Sequence, residues 1–181
     1  MTEGSKSGSA AVTEQLAEDQ RWMERAMQLA QHGTEQGEVP VGAVVVLDGE
    51  VIGEGWNQPI SSQDPSAHAE VVAIRQAAKQ LQNYRLPGAT LYVTLEPCTM
   101  CTGALIHSRI SRLVYGTTEP KAGVVTSQAQ LLESSWLNWR VEVTGGVLAE
   151  RCSIQLSDFF AHRRALKKQQ KQQQQSFSDD S

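Results

Sequence analysis

The chain is short of the features that mark specialised protein classes. It has three cysteines in 181 residues, too few and too unevenly placed for a disulfide framework. No apolar run approaches the ~18 residues of a membrane-spanning helix. The opening MTEGSKSGSAAVTEQ lacks the apolar stretch of a secretory signal, so the expected setting is cytoplasmic. With 6 prolines and 14 glycines the chain is neither collagen-like nor of low complexity throughout. What is present, 40% hydrophobic and 20% charged residues, is the composition of a globular protein. Its length suits one domain with short appendages.

Basic side chains are scarce in the first seventy residues, which carry 3 against 12 acidic ones, a balance of −9. Residues 71–181 carry 13 basic and 8 acidic side chains, a balance of +5. A chain of net charge −4 can therefore present a basic face to a phosphate backbone. Charge fluctuates along any sequence, and the asymmetry alone assigns no partner.

Both ends are small and polar, or Gln-rich as in KKQQKQQQQSFSDDS, and lack apolar surface to offset ordering entropy. Residues 1–18 and 167–181 are expected to be disordered, and the folded domain to occupy 19–166. Within it, Asp19 is placed to cap a helix whose Trp22, Met23, Ala26, Met27 and Ala30 recur at helical spacing, ending near Gly33 and Gly37. The runs at 41–47 and 51–57 read as strands joined by an Asp48-Gly49 hairpin turn. Further strands are expected at 90–96, 112–116 and 141–146, and helices at 67–82, at 97–108 with Pro97 in the first turn, and from Val147 onward. Leu148, Cys152, Leu156, Phe159 and Phe160 mark the expected buried face of the last helix. The order α-β-β-α-β-α-β-β-α implies an α/β fold, a five-stranded mixed sheet with helices on both faces.

Two short motifs stand out at expected helix starts: His68-Ala69-Glu70 and Pro97-Cys98-Thr99-Met100-Cys101. Cys98 and Cys101 share one face of a first helical turn, where free N–H groups and the helix dipole favour thiolates. Two thiolates and the His68 imidazole make a zinc donor set that leaves a fourth position open for water. Glu70, two residues on, suits a carboxylate that reaches that open position. A lone Cys-x-x-Cys also reads as a redox pair, and a lone His-x-Glu occurs by chance. Together, in this order, they match the His-x-Glu…Pro-Cys-x-x-Cys pattern of zinc nucleobase deaminases.

From about Trp22 to Arg164 the chain resembles the bacterial tRNA-specific adenosine deaminases of the cytidine/deoxycytidylate deaminase superfamily. The carrying segments are EVPVGAVVV, GEGWNQPI, DPSAHAE, NYRLPGATLYVTLEPCTMCTGALIHSRI and FFAHRR. The resemblance implies a three-layer α/β/α cytidine-deaminase-like fold, one catalytic Zn2+ per chain, a homodimer, and conversion of the wobble adenosine of a tRNA anticodon to inosine, usually in an arginine tRNA. It assigns Asn57 a hydrogen bond to the purine and places the Ala69 N–H near the reacting C6 substituent. Glu119 stands where the family more often has Asp. Glu119, Lys121, Phe159, Arg163 and Arg164 are the candidate RNA contacts, and His107 falls near the dimer contact or the RNA.

The expected chemistry follows from the donor set. His68, Cys98 and Cys101 hold the zinc, and Glu70 accepts a proton from water and returns it to N1 of adenine. Cys152, on an apolar helix face, reads as a core residue rather than a fourth ligand. His32 and His162 read as surface residues. Two alternatives remain at this level: deamination of a free base, nucleoside or nucleotide, and a non-catalytic zinc-stabilised RNA-binding module. The retained Glu70 argues against the module.

Overall fold

In the central strands of the protein, alternate side chains are apolar on both faces, as a sheet covered by helices on each side requires. The computed structural model describes residues 4–179, with side chains over 10–175. Five strands, β1 (Gly42–Leu47), β2 (Glu50–Trp56), β3 (Thr90–Leu95), β4 (Arg112–Thr117) and β5 (Glu142–Gly145), form one sheet in the order β2-β1-β3-β4-β5. β1 runs antiparallel to β2 and β3, whereas β3, β4 and β5 are parallel. The mixed five-stranded sheet matches the sequence-based expectation. Asp48 and Gly49 both have positive φ, 52° and 76°, the left-handed geometry of the expected tight hairpin.

One face buries Ala43, Val45, Leu91, Val93, Leu113 and Tyr115 under α2 (Ala69–Leu81) and α3 (Thr99–His107). The other buries Val44, Val46, Tyr92 and Val114 under α1 (Gly4–Glu35) and α4 (Ala149–Asp179). Each fully buried Val or Leu stabilises such a layer by about 1.5–3 kcal/mol. Gly53 and Gly55 of β2 let α2 lie directly on the sheet. A Cβ at either would collide with the backbone of Ala73 or Ala69. The start of β1, the end of β2 and the ends of β3 and β4 lie at one end of the sheet. The N-termini of α2 and α3 open there.

The structure departs from the expectations in four places. Helix α1 begins at Gly4 and α4 runs to Asp179, so the described parts of the two appendages are helical. Residues 10–18 and 160–175 are exposed, and good helix formers there extend a helix already nucleated by its packed part. Residues 1–3, 180 and 181 lie outside the described residues. Asp19 does not cap α1; it is buried in mid-helix, where Arg112 Nη1 and Nη2 donate to its two oxygens at 2.7 and 2.8 Å. Pro97 precedes α3 rather than opening it, and Cys98 is the N-cap. Phe159 is buried but Phe160 is 43% exposed, since neighbours 100° apart on a helix cannot both face the core.

Candidate active site

Residues 30 positions apart meet because two helices start side by side. His68 is the N-cap of α2 and Cys98 the N-cap of α3, both with extended backbone. One turn into α3, Cys101 is fully buried. The His68 Nδ1 atom lies 3.8 Å from Cys98 Sγ and 3.5 Å from Cys101 Sγ. The three donor atoms all fall within 4.8 Å of one another, and they form a metal-capable group among the described residues.

This spacing can be tested against a metal. A tetrahedral zinc with sulfur at about 2.3 Å and nitrogen at about 2.0 Å separates its ligands by roughly 3.5–3.8 Å. The nitrogen-to-sulfur separations match. The donor chemistry fits as well: the Cys98 thiol is pulled down to about 3, first by its hydrogen bond with Cys101 and then, against burial, by His68. Cys101 is pushed up by the same hydrogen bond and by burial. Two sulfurs this close resist holding two negative charges without a cation between them. His68 is raised, chiefly by its hydrogen bond with Cys98.

Glu70 is buried beside this group and does not belong to it. Burial pushes its carboxyl up to about 7, against the pull of its own backbone N–H. Asn57, at the end of β2, is also buried, and its Oδ1 accepts the Ala69 N–H at 3.0 Å. The first N–H groups of a helix lack intrahelical partners, and here a side chain from another element caps one of them.

The remaining candidates are spread around the site. Glu119 is half-buried, and its Oε1 accepts the Lys121 N–H at 2.9 Å, which turns that oxygen into its own loop. Lys121, Arg163 and Arg164 are exposed. Phe159 is buried with the Arg163 guanidinium 5.6 Å from its ring centre, so it supports that arginine and is not open for stacking. His107 is exposed at the end of α3, in a cavity of about 490 Å³ that Trp136 and Leu137 also line. Cys152 is buried under the sheet on the α1/α4 side, as expected of a core residue. His32 is an exposed side chain stacked edge-on to Trp56, and His162 is exposed.

Sequence reasoning missed Glu96. Only 2% exposed, it follows β3 and accepts hydrogen bonds from the loop after β4. Burial favours its neutral form, but the Ser127 hydroxyl and then the loop N–H groups outweigh this and hold the carboxyl down to about 2. A charged residue after a strand ordinarily signals a solvated turn, so nothing local marked it.

Sheet order, paired helix N-termini and a His/Cys/Cys group beside a buried glutamate define a class, the hydrolytic deaminases of the cytidine deaminase fold. Residues 16–117 match the family model for the cytidine and deoxycytidylate deaminase zinc-binding region. The tRNA-specific adenosine deaminase of Haemophilus influenzae is 52% identical over 162 residues, 89% of this chain and 94% of that protein. That of Bacillus subtilis is 44% identical, over 84% of this chain and 95% of its own. A solved structure from a study of A-to-I editing by tRNA:A34 deaminases at the wobble position superposes with a TM-score of 0.73. It shares 43% identity and covers 75% of this chain and 99% of that one. The chain belongs to the tRNA-specific adenosine deaminase family.

Proposed function

We propose that the protein converts adenosine to inosine at the wobble position of a tRNA anticodon, with one zinc per chain held by His68, Cys98 and Cys101. The observation that carries this reading is the His68 Nδ1 atom set 3.5 and 3.8 Å from the two sulfurs, with Glu70 buried beside them. Bound there, zinc supplies a Lewis acid that makes water nucleophilic near neutral pH. Glu70 takes a proton from that water and delivers it to N1 of adenine. It then takes the second proton, from the new C6 hydroxyl, and passes it to the departing amine, so that a C6–O bond replaces the C6–N bond and ammonia leaves. Asn57, with Oδ1 committed to Ala69, offers Nδ2 to the purine. Glu119, Lys121, Arg163 and Arg164 contact the RNA.

The finer parts of this reading rest on the carrying segments of the sequence: an arginine tRNA as substrate, a cytoplasmic homodimer, and a catalytic domain over 19–166. The exposed Trp136 and the cavity it lines beside α3 support pairing with a second copy. Among the described residues no helix is long and apolar enough to cross a membrane.

The test compares substrates and measures metal. The expected result is inosine in an anticodon stem-loop, formed far faster than ammonia is released from free adenosine, guanine or cytosine. Extruding a stacked base costs a few kcal/mol, much of which a loop has already met. Equal turnover of a free base or nucleoside would overturn the tRNA reading. Metal analysis should return about one zinc per chain, and a zinc-free preparation with full activity would overturn the metal assignment.

A further inference from the structure

Glu96 is tied to the loop over residues 118–128 by both carboxylate oxygens. Oε1 accepts the N–H groups of Val125, Thr126 and Ser127 at 3.1, 2.8 and 2.9 Å. Oε2 accepts the Glu119 N–H at 3.0 Å and the Ser127 hydroxyl. Four consecutive or near backbone donors on one carboxylate give a clamp that a neutral side chain cannot reproduce, since charge-assisted bonds are roughly twice as strong as neutral ones. Gly123 completes the fit: a Cβ there would run into the Glu96 carboxylate.

The clamped loop reaches the metal-capable group through backbone as well. Gly123 forms a bridge with Cys98, and the Val124 N–H donates to the Pro97 carbonyl at 3.1 Å. Of the two loop residues assigned to RNA, Glu119 is one attachment point of the clamp, and Lys121 lies between it and the second attachment at residues 125–127. The Glu119 N–H is one of the clamped donors, and its side chain in turn accepts from Lys121 N–H. A loop of this length free of such an anchor would lose entropy on meeting RNA, and preorganisation removes that loss beforehand.

We propose that Glu96 is a positioning residue for substrate affinity: its carboxylate holds loop 118–128 against the Cys98 end of α3 so that Glu119 and Lys121 meet the RNA already placed. The proposal rests on the tRNA reading above for the identity of the ligand. Glu96 does not touch the reacting atoms; its effect falls on binding and leaves the chemical step.

The experiment uses the zinc-loaded full chain carrying Glu96→Gln, with Ser127→Ala as a milder variant that removes one of the clamp's bonds. Single-turnover rates are measured against stem-loop concentration, and amide hydrogen exchange is followed over 118–128. For Glu96→Gln the expected result is half-saturation raised about tenfold, the equivalent of one charged hydrogen bond lost. The rate at saturating RNA and the zinc content should stay near wild type, with faster exchange at Glu119, Val125, Thr126 and Ser127. Ser127→Ala should move the same quantities in the same direction by less. Unchanged half-saturation with faster exchange would overturn the affinity role, and unchanged exchange would overturn the clamp. Loss of zinc and rate together in both variants would make Glu96 a support of the metal group, which also overturns the proposal. If the wild-type protein does not deaminate the stem-loop, the tRNA reading fails separately, because hydrogen exchange reads the clamp without RNA.

Discussion

At the start of β4, Asp19 is buried against Arg112, while at the end of β3, Glu70 is buried against two thiols and an imidazole. The first carboxylate also accepts from the Tyr92 hydroxyl at 3.1 Å, and Arg112 passes a further bond to Thr144 at 2.9 Å. Burial raises the Asp19 carboxyl, but the Arg112 hydrogen bonds and charge outweigh it and the net shift is downward. For Glu70 burial outweighs the pull of its own backbone N–H and of His68, and its net shift is upward. Burial is common to both. What differs is whether the neighbours settle the charge or leave a proton to be traded, and that separates a strut from a candidate for acid–base chemistry.

The sharpest way to break this contrast is to neutralise each carboxylate in turn. Glu70→Gln should lower the single-turnover rate by about 10²–10⁴-fold, the range for a general acid–base group, with zinc content and RNA affinity unchanged. Loss of zinc in that variant would make Glu70 a ligand. Cys101→Ala should lose both metal and activity, measured by metal analysis on the purified protein.

At the other end the expected losses are in stability. Asp19→Ala should lower the unfolding free energy by about 3 kcal/mol, because it leaves the largely buried Arg112 with only the exposed Glu142 carboxylate, 3.5 Å from its Nε, as a charged partner. Zinc and the chemical step should be untouched. Replacing both partners by apolar residues should recover much of the loss, since a buried pair is worth little against good packing. Denaturant titrations on the two variants check this.

The same pair should give stability a pH dependence that is independent of the active site. The folded Asp19 value lies below the unfolded 3.8, so its stabilisation is complete well above 3.8. It is lost as pH falls through the lower folded value. Asp19→Asn should flatten that part of the profile, and an unchanged acid limb would show that other groups control it. The smallest effect is expected at Cys152, whose Sγ packs beneath Gly116. Cys152→Ala should remain active and zinc-replete with about 1 kcal/mol less stability.

Much of the scaffold was legible because it is written in short-range patterns. The Asp48-Gly49 turn, the alternating strands and the paired motifs at helix starts each depend on neighbours a few residues away. Asp19 was misread for the converse reason. As a residue before an apolar period it looks like an N-cap, and its partner Arg112 lies 93 residues on. Glu96 was missed because its donors come from 23 to 31 residues later, on a loop with no regular period. Phe159 and Phe160 both suit a buried helix face, and only the seating of α4 on the sheet chose between them.

The sequence by itself determined the His/Cys/Cys group and the strand and helix order, because residue type, turn chemistry and hydrophobic period are local properties. Only the tertiary structure decided that two helix N-termini converge to within hydrogen-bonding reach, that Glu70 is buried, and that Asn57 takes the Ala69 N–H. These depend on how closely α2 and α3 approach the sheet. For α2 that approach is set by the absence of a side chain at Gly53 and Gly55, and for both helices by apolar burial, which is large in total and indifferent to sequence distance.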